Sequence, residues 1–150
     1  MKVRRKAAIL RVELTEAEAA LLAGLLDDLS VAVAEPDPDD PVIQRLYPEG
    51  YRDDEEASRE YRELVQDDLH AERLGRLQAC RAELPAGSGR MALDEEAVDR
   101  WLRVLNDLRL GLGTRLGVTE EDELDDRQPA VQIYGWLTAV QDMLVTHALP

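Results

Sequence analysis

Residues Trp101–Leu116 read WLRVLNDLRLGLGTRL, and the fold class turns on them. At about 100° per residue, Val98, Trp101, Leu102, Leu105, Leu108, Leu112 and Leu116 share one face, which marks an amphipathic helix. Asp99, Arg103 and Asp107 stand at i, i+4 spacing on the other side and read as a solvated charge ladder. Arg109 falls near the middle of the apolar face, with Asn106 and Gly113 along its edge. A guanidinium keeps its proton at any ordinary pH, so burial demands a carboxylate or several carbonyls. The helix before this one offers an acid: Tyr61, Leu64 and Val65 mark its apolar stripe, and Asp68 lies on it. The expectation is a core Arg109–Asp68 pair, joined by Asn106, Tyr61 or Gln141, that fixes helix register.

Outward from this helix, the other elements follow from caps and periodicity. "AAILRVEL" alternates, Leu10, Val12 and Leu14 one way and Arg11 and Glu13 the other, as a short half-buried strand. Thr15 and Glu18 have capping-box spacing, and Leu21, Leu22, Leu25, Leu26 and Leu29 follow at helical intervals. The three prolines of "AEPDPDDP" end that helix. A long helix is expected from Asp53 or Asp54 to Leu84, a second strand over Arg90–Leu93, and a helix from the Asp94 cap to Gly117. "TEEDELDDRQ" reads as a loop, and Pro129 opens a last helix to about Ala148. The segments "VELTEAEAALLAGLLDDL" and "MALDEEAVDRWLRVLNDL" share a plan of strand, cap and leucine stripe. Internal duplication and shared helix-start chemistry explain this equally well. The expected fold is mainly α: one four-helix bundle-like domain over residues 1–150 with a short two-stranded β-ribbon. Residues 1–5 form a basic solvated tail and 118–128 an acidic loop.

Composition narrows function. The 150 residues include 45% hydrophobic and 33% charged side chains, no Phe, and a net charge of −14. The first eleven residues hold Lys2, Arg4, Arg5, Lys6 and Arg11 and no acid, so the remainder carries −19. Such a surface repels phosphate backbones, which argues against direct nucleic-acid binding, and suits a basic protein partner. No run is long enough to span a membrane, and the basic start lacks the apolar stretch of a signal peptide, so a cytoplasmic location is expected.

Chemistry-bearing motifs are sparse. His70 and His147 are far apart, with His70 on the outer side of its helix, and they make no metal site. Glu120–Asp126 lacks the glycine and oxygen spacing of a calcium loop. The glycines of "GLGTRLG" follow no strand, so they suit close helix packing and a C-cap at Gly117 rather than a phosphate loop. No catalytic arrangement stands out, and neither an enzyme nor a cofactor is expected. Cys80 shares a helix side with Leu69, Leu77, Leu84, Arg73 and Arg76. Two readings stay open: a small buried hydrophobe, or a thiolate stabilised by Arg73 and Arg76.

Three stretches, "YPEGYRDDEEASREYRELVQDDL", "LDEEAVDRWLRVLNDLRLGLGTRLGVTEED" and "YGWLTAVQDML", resemble the actinobacterial AosR family over nearly the whole chain. That resemblance implies an oxidation-responsive transcriptional regulator whose cysteine disulfide promotes association with a stress sigma factor. The family's genes tend to neighbour a Clp protease adaptor and a cysteine biosynthesis cluster. Redox members use two cysteines, whereas this chain has Cys80 alone. What remains is a sulfenic acid, a mixed disulfide, a Cys80–Cys80 homodimer, or partner binding without sensing. The leading expectation is a non-enzymatic regulator that contacts a sigma factor or RNA polymerase. An adaptor in proteolysis or cysteine synthesis is second, and an anion sensor using Arg109 or Arg115 is third.

Overall fold

The computed structural model describes residues 1–47, 55–117 and 127–148, with side chains in the long third helix described from residue 68 onward. Its elements run β1 (Lys2–Lys6), β2 (Ile9–Leu14), α1 (Glu16–Ala34), α2 (Pro41–Leu46), α3 (Glu55–Glu83), β3 (Gly89–Leu93), α4 (Glu95–Leu116) and α5 (Pro129–Ala148). The architecture is mainly α with one small antiparallel sheet, ordered β1-β2-β3.

Local chemistry explains most boundaries. Thr15 Oγ1 accepts from the Glu18 amide at 3.2 Å, and the Thr15 amide donates to Glu18 Oε1 at 2.9 Å. This reciprocal pair satisfies two otherwise orphaned donors at the start of α1. Asp94 caps α4 by accepting from the Ala97 amide at 2.8 Å. Gly117, at φ +68°, closes the helix in the left-handed conformation that glycine adopts without steric cost.

Two elements differ from the sequence expectation. Lys2–Lys6 is not a solvated tail but an edge strand, paired with β2 from Lys2↔Glu13 to Lys6↔Ile9. Only Val3 of this strand is buried, so its hydrophobic pattern is too thin to read, and backbone pairing with β2 supplies the order. The expected ribbon is therefore three-stranded. The bundle also gains a fifth helix among the described residues: α2 begins at the third proline of the supposed break. Pro41 occupies the first turn, where a missing amide costs nothing, and Asp40 caps it by accepting from the Val42 amide at 2.9 Å.

The inner sheet face presents Val3, Leu10, Val12, Leu14, Met91 and Leu93 to the helices. α4 is the hub, packing against α1, α2, α3, α5 and β3. Its buried residues accordingly surround more of the helix than one stripe: Val98, Trp101, Val104, Leu105, Asp107, Leu108, Gly111 and Gly113. The acidic loop expected at 118–128 and the start of the long helix at Asp53 or Asp54 fall largely outside the described residues.

Candidate functional site

The polar groups that the core must accommodate lie along α4, on the sides facing α3 and α5. On the α3 side, Arg73 Nε donates to Asp107 Oδ2 at 3.0 Å, and Nη1 donates to the Leu46 carbonyl at 3.2 Å. The guanidinium carbon lies 4.5 Å from the centre of the Tyr47 ring, which also meets the His70 ring edge-on at 4.3 Å between centroids. Asp107 is 4% exposed. Burial pushes its carboxyl above the ordinary aspartate value, and the pull of Arg73 and then Arg76 in the opposite direction does not cancel that shift. Tyr47 is likewise raised, first by burial.

About two turns beyond Arg73 along α3 lies Cys80, with no exposed surface. Burial, reinforced by the neighbouring Glu83 carboxylate, raises its thiol to about 12, against the opposing influence of Arg100 and Arg76. Arg100 in turn contacts Glu83 through Nη2, so an ion pair sits beside the thiol. Of the two open readings, the structure places Cys80 as a packed core residue with little thiolate character at neutral pH. Arg73 is committed to Asp107 and the Leu46 carbonyl, and Arg76 lies close enough to influence the thiol but does not reverse the shift.

On the α5 side, Arg109 is half-buried. Its Nη1 contacts Gln141 Oε1, and its guanidinium carbon lies 5.5 Å from the Tyr134 ring centre. Gln141 Nε2 donates onward to the Leu102 carbonyl at 3.4 Å. The expected Arg109–Asp68 pair is not formed: Asp68 is exposed, and Asn106 is exposed too. Of the expected partners whose side chains are described, Gln141 meets Arg109; the Tyr61 side chain lies outside the described residues. Asp107, placed by sequence on a solvated ladder, is instead the buried acid; of that ladder only Arg103–Asp99 remains, exposed, at 3.0 Å. His70, expected on the outer side, is half-buried against Tyr47. Arg115 is exposed.

A missed signal was present. Val104, Asp107, Leu108 and Gly111 follow i, i+3, i+4, i+7 spacing, which defines a second buried stripe once a helix is packed on several sides. Among the described residues, no three His, Cys, Asp or Glu side chains gather within reach of one metal ion. No described helix is long and apolar enough to cross a membrane.

The fold and its polar core thus define a small helical domain built on one central helix, with buried charge serving packing. The chain belongs to the family described as a domain of unknown function, DUF2017, which matches residues 1–148. It is similar to a putative oxidative stress regulator AosR of Mycobacterium leprae, 28% identical over 128 residues, covering 72% of this chain and 58% of that protein. The oxidative stress regulators AosR of Mycobacterium bovis and Mycobacterium tuberculosis are 29% identical over 126 residues, with the same coverage. The chain therefore spans little more than half the length of these curated relatives. No solved structure matches it.

Proposed function

We propose that this chain is a non-enzymatic regulatory module of the oxidative-stress response that works by contact with transcription machinery, its partner being a stress sigma factor. The observation that carries the reading is the similarity to relatives named oxidative stress regulator across 72% of the chain. The buried thiol refines it. A chain with one cysteine forms no internal disulfide, and a thiol held near 12 is a poor nucleophile toward peroxide at neutral pH. Partner contact in this member accordingly does not depend on Cys80 oxidation.

The test is intact mass and light-scattering size before and after mild peroxide, followed by capture of purified stress sigma factors on immobilised wild type and Cys80→Ser. The expected result is an unmodified thiol in the native chain and equal capture by both forms. A reversible adduct or dimer that needs Cys80 and that capture requires overturns the Cys80-independent part. Failure to capture any sigma factor in either redox state overturns the partner.

A further inference from the structure

The outer face of the sheet has a charge composition opposite to that of the rest of the molecule. Lys2, Arg4 and Lys6 of β1, Arg11 of β2 and Arg90 of β3 are all exposed, and Glu13 is the acid among them in the described strands. Glu13 lies opposite Lys2 and opposite Arg90, whose Nη2 is 3.9 Å from Glu13 Oε1. Arg4 stands directly opposite Arg11. Like charges facing each other across an antiparallel pair destabilise it. Blunting the two edges needs cations on β1 and β3 only; a matching arginine on the central strand β2 opposes stability and calls for another explanation. Lys2, Arg4, Arg11, Val12, Glu13 and Arg90 line a shallow depression of about 190 Å³.

We infer that this face is a docking site for a short acidic polypeptide segment of a partner protein. Charge complementarity selects an anion, and the dimensions of the face select its kind. Strands of five or six residues span roughly 17–20 Å, and the chain beyond them turns acidic. β2 leads through Thr15 into Glu16, and β3 leads into Asp94, Glu95 and Glu96. A nucleic-acid backbone running past the face meets those carboxylates and a remainder of −19, which repel it. A short extended segment with acids at alternate positions has the same two-residue repeat as Lys2, Arg4 and Lys6 and ends before the acidic flanks. Steering by such a patch acts mainly on encounter rate and partner choice.

The inference gives a location to the partner contact proposed above and rests on that reading for its biological setting, but the binding test stands apart from it. A fluorescein-labelled oligoglutamate peptide, roughly as long as one strand, is titrated by anisotropy against the wild-type chain at low and moderate salt. The Arg4→Glu/Arg11→Glu variant and an oligothymidylate of similar length serve as comparisons. Expected is saturable, salt-sensitive peptide binding that weakens by about tenfold or more on charge reversal, with the oligonucleotide binding less well. Unfolding midpoints establish that the variant retains its fold, and Arg4→Gln/Arg11→Gln replaces it if reversal prevents folding. Absence of peptide binding, binding indifferent to both variants, or tighter binding of the oligonucleotide overturns the inference. So does a wild-type dimer that the reversal dissolves, which would give the face to a second copy of this chain. Loss of sigma-factor capture with peptide binding intact counts against the proposed function alone.

Discussion

Asp107 and Arg109 lie two positions apart on α4 and have opposite surroundings. Asp107 is almost fully enclosed and meets a full positive charge at 3.0 Å. Arg109 is half-buried and meets a neutral amide and an aromatic ring. The carboxylate, whose hydration is lost, needs a countercharge; the guanidinium keeps part of its hydration and spreads its charge over a plane, so an amide and a π-face suffice. The helix thus buries an acid deeply on one side and a base shallowly on the other.

The sharpest way to break this contrast is to remove one partner of the enclosed pair. Asp107→Ala should destabilise the chain by about 3–5 kcal/mol, because Arg73 is left without its countercharge, whereas Arg73→Met combined with Asp107→Leu should come close to wild type. Urea unfolding of Asp107→Ala, of Arg73→Met alone and of the double variant reads this directly, and a double variant as unstable as the singles would show that the pair is more than a compensated burial. Arg109→Met should lose less, about 1–2 kcal/mol, since a charged hydrogen bond disappears from a partly wetted site. Equal losses at the two sites would erase the distinction between them.

A smaller effect sharpens the shallow side. A Cβ on Gly113 would lie 3.2 Å from Tyr134 Cε2, so Gly113→Ala should push the ring that faces Arg109. We expect a net loss of about 1 kcal/mol, overpacking outweighing the better helix propensity of alanine; a gain on thermal unfolding would mean the ring moves freely. The smallest effect concerns pH. Folding raises the Asp107 carboxyl, so the folded chain binds that proton more tightly than the unfolded chain does. Its contribution to stability is present below the unfolded value and lost as pH rises through the raised folded one. Wild type should therefore lose ground to the non-titrating Asp107→Asn as pH rises through the carboxylate range; a difference that grows in favour of wild type would show that Arg73 outweighs burial.

Most helix boundaries were legible because capping is local: Thr15, Asp94, Gly117 and Pro129 state their roles within a few residues, whereas the Asp40–Pro41 start of α2 lies inside a proline run that reads as a break. The edge strand was not legible, since "KVRRK" carries one inward apolar residue and gains its order from hydrogen bonds to a neighbour. The polar core was half legible. A cation on the packed side of α4 was evident, though Arg109 is only half-buried, and Gln141 was among its expected partners. The countercharge was not legible, because α4 packs on several sides and its leucine stripe marks only part of its buried surface, so the enclosed acid is Asp107 while Asp68 stays exposed.

The sequence by itself determined the helical class, the caps, the excess of acid and the solitary cysteine, since each is a matter of composition or of contacts within one turn. Tertiary structure alone decided which acid is buried, which cation faces it, how deeply Cys80 lies, and that the basic start becomes one face of a sheet. Those outcomes depend on how many neighbours surround α4 and on which strand lies beside β1, and desolvation and strand pairing are set by residues distant along the chain.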